Sequence, residues 1–276
     1  MTNYHEQNRK SWNEATKQHH SHKPDLIARY KNGWNNLYPE DMQLLGDVQG
    51  KSVVHLQCND GQDTLSIAKH LGANVTGIDI SDEAIAFAKT MSEEAEIPAE
   101  FVRADIFEWF DSNTDKYDVV YTSYGALIWI SDISRWASGI AKALRAGGKV
   151  VVIDFHQTGL MFDYDWHPIY DAMGGKVSAS DGVGDYAADD YEGAFKNPHK
   201  AYEFAWSPSE IITALLDAGL HLTHFKEYPY MNGWQCYPDM REEVIEGEHR
   251  SYSRFYTPND KPTIPMMYSI IATKSL

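Results

Sequence analysis

Between residues 52 and 155 short β-branched runs alternate with stretches of helical spacing, and this alternation leaves few folds open to the chain. Apolar runs at 52–57, 74–79, 100–103, 117–122 and 149–155 read as strands. Segments 62–71, 81–93 and 133–144 read as helices, the second capped by Ser81 and the third stopped by Gly147 and Gly148. Strand–helix repeats of this kind form right-handed βαβ units, hence a parallel sheet covered on both faces. Two further strands are expected at 221–228 and 267–274. Before them, Ser207 caps a helix, Pro208 lies in its first turn, Glu210 completes a capping box and Gly219 ends it.

Three segments break this rhythm. Residues 1–48 are polar, with weak apolar periodicity and many rings, and read as irregular helices lying over the remainder as a lid. Residues 49–276 form the main domain, with inserts at about 156–205 and 229–264. A non-periodic stretch as long as the first insert, inside a compact domain, is usually a lid or a functional loop.

Composition narrows the partners. With 40 acidic against 24 basic side chains the formal charge is -16, and no Lys/Arg cluster offsets it, so nucleic acid is not expected as a partner. Two cysteines cannot build a disulfide framework, the N-terminus has no apolar leader, and no run is long enough to span a bilayer. A cytoplasmic protein without a membrane partner is expected, with a homodimer left open. His19, His20 and His22 lack metal-ligand spacing and read as a solvated helix face, and no metal is expected.

Ligands of open parallel sheets bind beyond the carboxyl ends of the strands, at the switch point beside the first strand. Here that segment is His55-Leu56-Gln57-Cys58-Asn59-Asp60-Gly61-Gln62-Asp63-Thr64. Asp79 follows Gly61 by 18 positions, close to the spacing of a carboxylate that takes two ribose hydroxyls. A dinucleotide needs several glycines under its diphosphate, but only Gly61 is present, and Asp60 and Asp63 would repel that anion. The pair suits a phosphate-free nucleoside bearing positive charge.

This segment resembles the class I S-adenosylmethionine-dependent methyltransferases, and within them a subgroup whose first loop reads L-Q-C-x-x-G-x-D-T. The usual loop of the family is D/E-x-G-x-G-x-G; here His55 replaces the acid, and Gln57 and Asn59 replace two glycines. Asp79-Ile80 resembles the ribose-binding end of the second strand, Asp105-Ile106 the adenine-binding pair, and Thr122-Ser123 the strand end facing the methyl group. Leu144-Arg145-Ala146-Gly147-Gly148 resembles the turn before the fifth strand. The resemblance implies a doubly wound, mostly parallel seven-stranded α/β sheet with an antiparallel C-terminal strand, and S-adenosyl-L-methionine as cofactor. It places Gln57, Cys58, Asn59, Gly61 and Asp63 at the cofactor as well, with Tyr4 and Trp12 folding over it.

Methyl transfer from a sulfonium is an in-line displacement that needs alignment and exclusion of water more than a catalytic triad. The expected product is an O- or N-methylated small molecule. His156, directly after the fifth strand, is the candidate base, with His167 a weaker one. Tyr124, Trp129, His156 and Trp234 are expected to line the acceptor pocket, with Tyr237, Tyr252 and Tyr256 nearby. Two other functions fit a nucleoside fold: a non-catalytic adenosyl-binding module, and a nicotinamide-dependent oxidoreductase, which the missing glycines oppose.

Overall fold

Branched aliphatic runs build a single seven-stranded sheet in the computed structural model, which describes residues 3–174, 176–186, 195–247 and 249–276. The N-terminal segment supplies α1 (Tyr4–Ser21), α2 (Leu26–Lys31) and α3 (Pro39–Leu45). The alternating region then runs β1 (Ser52–Leu56), α4 (Gln62–Leu71), β2 (Asn74–Asp79), α5 (Asp82–Glu94), β3 (Glu100–Arg103), α6 (Ile106–Asp111), β4 (Tyr117–Ser123), α7 (Ile133–Ala143) and β5 (Leu144–Phe155). After it come β6 (Val177–Ser180), β7 (Ala201–Phe204), α8 (Pro208–Asp217), β8 (Leu220–Tyr228), β9 (Tyr230–Asn232), β10 (Arg241–Glu246), β11 (Ser251–Tyr256) and β12 (Met267–Lys274).

The main sheet has the order β3-β2-β1-β4-β5-β12-β8. Its first five strands are parallel, and β12 runs antiparallel to both β5 and β8. Period-two geometry divides each central strand between two cores. Val54, Leu56, Val120, Val150 and Val152 pack with α6, α7 and α8, while Val53, Val119, Tyr121, Val151 and Ile153 pack with α3 and the three-stranded sheet. Strand order reverses between β1 and β4, so the loops that leave their carboxyl ends diverge and open a crevice.

Two expectations are corrected here. α1 is a regular helix of 18 residues, and polar clamps hold it where an apolar stripe is lacking. Asn8 exchanges bonds with both the N–H and the carbonyl of Tyr202, Ser11 accepts from Val183 and donates to His199, and the Asn13 carbonyl caps the start of α5. Nor are the histidines at its end a solvated face. His19 is buried with Nε2 3.0 Å from the Gly184 carbonyl, His20 stacks on Phe87, and His22 pairs with Asp185 at 2.8 Å. Among the described residues, no cluster of three His, Cys, Asp or Glu side chains is arranged to hold a metal.

The described parts of the inserts are ordered. The first contains the β6–β7 hairpin, with Val177 opposite Phe204, and the second forms the sheet β10-β11-β9. α8 starts as the sequence predicts: the Ser207 N–H donates to Glu210 Oε2 at 2.8 Å, and the Glu210 N–H donates back to Ser207 Oγ. Replacing Ser207 by alanine should cost about 1 kcal/mol in a urea titration. An unchanged midpoint would show that the cap contributes nothing.

Candidate active site

The floor of the crevice is the turn from β1 to α4. Gln57, Asn59 and Gly61 all have left-handed backbone, with φ of 54°, 50° and 81°. Asn tolerates this conformation, whereas Gln57 holds it under strain, which the surroundings must offset. Gly61 is required for a second reason, since a Cβ there would lie 2.6 Å from the Phe101 ring. The turn is tied to β2 by Cys58 N–H to the Ile78 carbonyl at 2.9 Å and by Asn59 N–H to Asp79 Oδ2 at 2.8 Å. It is tied to the loop after β4 by Gln57 Nε2 donating to the Ala126 carbonyl at 2.6 Å. Gln57 Oε1 is left buried with no hydrogen-bond partner among the described residues.

Asp79 ends β2 with its carboxylate at the crevice wall, Oδ1 accepting from the Ser81 N–H at 2.8 Å. Burial pushes its pKa up to about 6, against the pull of the Ser81 and Asn59 N–H groups. Asp154, buried at the end of β5, shapes the opposite wall. It accepts from the N–H groups of Gly125 and Leu127, the latter at 3.0 Å, and so fixes a loop in which Tyr124 and Gly125 have φ of 28° and 75°.

The resulting cleft encloses about 750 Å³ of empty space including its open mouth. His5, Asn8 and Trp12 of α1 roof it, at the i, i+3 and i+7 positions of one helix face. Gln57, Asn59 and Asp79 form its polar floor, and Ile80, Ala104, Ile106 and Ile130 one apolar end. Tyr124, Gly125, Ala126 and Trp129 form the remaining side. Trp12 meets Trp129 edge-on at 5.4 Å, and Tyr186 adds a third ring 6.2 Å from Trp12. No lysine or arginine lines the cleft among the described residues.

The cleft brings together Trp12, Gln57, Asn59, Asp79, Ile80, Ile106, Tyr124 and Trp129 of the residues singled out in the sequence. The others lie behind it. Tyr4 packs on Tyr202 and Phe204, Cys58 fills the space beside Gly77, and Gly61 makes room for Phe101. Thr122 and Ser123 are buried at the end of β4; Ser123 donates to Asp63 at 3.2 Å and faces Nε2 of His55 at 3.3 Å. His55, in place of the family's acid, is driven down to about 4 by burial and is therefore neutral, with Nδ1 accepting from Thr64 at 2.9 Å.

The expectation that Asp60 and Asp63 present negative charge to a ligand needs correction. Asp60 takes both its bonds at 3.0 Å from Gln62 and faces His20 at 3.6 Å; Asp63 is engaged by Asn36 at 2.6 Å and by Ser123. Asp79 is the acid that lines the cleft among the described residues. His156 is likewise displaced from its expected place. Its Nδ1 accepts from the Thr158 N–H at 3.1 Å and its Nε2 lies 3.2 Å from Glu227, so both nitrogens are committed away from the cleft. Burial lowers its pKa against the opposing pull of Glu227. Trp234 packs on Phe155 at 4.9 Å and His167 is an exposed partner of Asp163. Sequence reasoning missed His5, Asn8, Ile78, Ala104, Gly125, Ala126 and Ile130; the first two share a helix face with Trp12, a signal that a regular helix there exposes.

Comparison with known proteins agrees with this geometry. Residues 53–148 match the family described as "Methyltransferase domain". Ubiquinone biosynthesis O-methyltransferases of Alkalilimnicola ehrlichii and Salmonella newport are 28% and 30% identical over 109 and 114 residues, or 40% and 41% of this chain. Those stretches are 43% and 46% of the relatives, so the chain spans less than half the length of the curated relatives it matches. A solved S-adenosylmethionine-dependent methyltransferase from Mesorhizobium loti superposes with a TM-score of 0.53 at 19% identity, covering 86% of this chain and 96% of that one. No described helix is long and apolar enough to cross a membrane. Residues 53–148 are thus similar to a methyltransferase domain, and the chain shares the fold of a solved class I methyltransferase.

Proposed function

We propose that the chain uses S-adenosyl-L-methionine to methylate an oxygen or nitrogen atom of a small molecule by in-line displacement, and that it belongs to the subgroup whose first loop reads L-Q-C-x-x-G-x-D-T. The observation that carries this reading is Asp79, ionisable near neutrality at the end of β2, beside the bondless Gln57 Oε1. Bound there, the cofactor supplies a methyl group activated on a sulfonium. Asp79 accepts the two ribose hydroxyls, and Gln57 Oε1 accepts from the ammonium of the methionine part. Ile80, Ile106 and Ile130 enclose the base. Trp12 and Trp129 cover the sulfonium and exclude water, with α1 as the lid.

The chain's own contribution to rate is then alignment, which supplies up to about 7–11 kcal/mol of a bimolecular barrier. Tyr124, Gly125 and Ala126 bound the side from which an acceptor approaches. A cleft with one carboxylate and no cation favours neither a dinucleotide's diphosphate nor a nucleic acid. The O-methyltransferase relatives favour a hydroxyl acceptor, and two free thiols favour the cytoplasm.

Calorimetry tests the reading first. S-adenosylhomocysteine should bind at micromolar levels while nicotinamide dinucleotides do not, and labelled methyl should then pass from the cofactor to members of a phenol and amine panel. Dinucleotide binding in preference to S-adenosylhomocysteine would overturn it. Cofactor binding with no transfer to any panel member would favour the adenosyl-binding module.

A further inference from the structure

His5 and Asp105 meet at the apolar end of the cleft, where the proposed function puts the adenine base. His5 Nδ1 lies 2.6 Å from Asp105 Oδ2, and its Nε2 lies 2.9 Å from Ser131 Oγ. The carboxylate fixes the proton on Nδ1, so Nε2 accepts from the serine hydroxyl and the imidazole is locked at both ends. One face of the ring stacks on Phe107, with centroids 5.0 Å apart and planes 23° apart. Phe107 is itself held by the Arg135 guanidinium, 4.5 Å from its ring centre. Asp105 Oδ1 accepts the Phe107 N–H at 2.8 Å and so caps α6. Both carboxylate oxygens therefore serve the protein. His5 lines the cleft and Asp105 does not.

We infer that His5, reaching over from α1, is the residue against which the base packs at that end of the cleft, and that Asp105 is a positioning residue which orients it and does not read the exocyclic amino group. The inference rests on the cleft being an adenosyl site. Its consequence is a base pocket that selects by shape. Ile80, Ala104, Ile106 and Ile130 offer apolar walls, and the His5 ring, with both its nitrogens committed, offers a flat surface. A pocket that hydrogen-bonds a polar group rejects the analogue lacking it strongly, because its own partner is left unpaired. A carboxylate aimed at the amino group would further repel the carbonyl oxygen that replaces it in the deaminated base.

Affinities of S-adenosylhomocysteine and of its deaminated inosyl form, measured by calorimetry for the unaltered chain and for His5→Ala, test this. The unaltered chain should bind the two within tenfold of each other, and His5→Ala should weaken both by at least fivefold. Discrimination above tenfold in the unaltered chain would show that the amino group is read, and would overturn the inference without any variant. Unchanged or tighter binding by His5→Ala would overturn it as well, since Asp105 would then be free to take the base. Binding of neither compound by the unaltered chain would instead overturn the adenosyl reading of the cleft, and this inference with it.

Discussion

Asp79→Ala should weaken binding of S-adenosylhomocysteine about a hundredfold. Hydrogen bonds to a charged acceptor contribute about 1.5–3 kcal/mol each, and under the proposed function two ribose hydroxyls would meet this carboxylate, so a loss of about 3 kcal/mol is a conservative sum. The pH dependence follows from the same group. Burial holds Asp79 near 6, so below that value the free protein keeps it protonated and unable to accept two hydroxyls. Affinity should rise from pH 5 to pH 7 and then level off. Binding near pH 6 should release a proton, read by calorimetry in buffers of different ionisation enthalpy. Asp79→Ala also strips the Asn59 and Ser81 N–H groups of their acceptor, so thermal unfolding must accompany the measurement. Asp79→Asn, which keeps one acceptor oxygen, should fall between the two. Affinity in Asp79→Ala within threefold of the unaltered chain would remove the ribose contact and with it the register of the cofactor in the cleft.

The fold was legible because its central strands are written mostly in β-branched residues buried on both faces, with polar residues such as Ser123 and Asp154 near their carboxyl ends. Strand and helix positions between 52 and 155 agree with the structure to within a few residues, except that α6 was not expected and that β5 begins at Leu144, before its two glycines, by pairing with Tyr117. The place of Asp79 on the cleft wall was legible for a related reason: it closes a strand at the switch point. What failed was any inference from charge in a loop. Asp60 and Asp63 look like solvent-facing acids in the sequence, yet Gln62, Asn36 and Ser123 consume them, and partners drawn from 36 and 123 leave no mark in the local pattern. His156 misled in the same way, because Glu227 is 71 residues away in the chain and adjacent in space. The roof of the cleft was legible only in part, since Trp12 was expected over it but His5 and Asn8 were not. α1 is held by side-chain amides and a hydroxyl bonded to distant backbone, so the apolar period that usually betrays a packed helix is missing.

The margin by which the unaltered chain is more stable than Asp41→Asn should shrink by about 1.7 kcal/mol between pH 6.5 and pH 8. Asp41 is fully buried on α3, where Tyr38 N–H, Tyr121 Oη and Tyr124 Oη donate to it at 2.8, 3.1 and 3.1 Å. Burial and the nearby charge of Asp63 push its pKa up to about 8, and the three donors only partly offset this. In the unfolded chain the same carboxyl ionises near 4. Between these values the native state binds a proton that the unfolded state has lost, so raising the pH favours unfolding, by up to about 1.4 kcal/mol per unit. Two other buried groups act at lower pH. His55, driven down to about 4, adds stability as pH rises toward 6.5, whereas Asp79, held near 6, removes it. The histidine effect extends above pH 6.5, where an unfolded histidine is still half protonated, and His19, His156 and His224, whose pKa values burial also lowers, add to it. The Asp41 contribution, about 1.7 kcal/mol because the slope halves at its own pKa, is therefore read as the difference between the two profiles. Urea midpoints at half-unit steps from pH 6.5 to 8 will show it. The carboxamide of the Asp41→Asn variant cannot ionise. Although that variant loses part of the bonding to Tyr38 and is less stable at every pH, its profile in this window should keep the histidine contribution and lack the fall that Asp41 imposes. Parallel profiles in the two chains would mean that Asp41 does not titrate between pH 6.5 and pH 8.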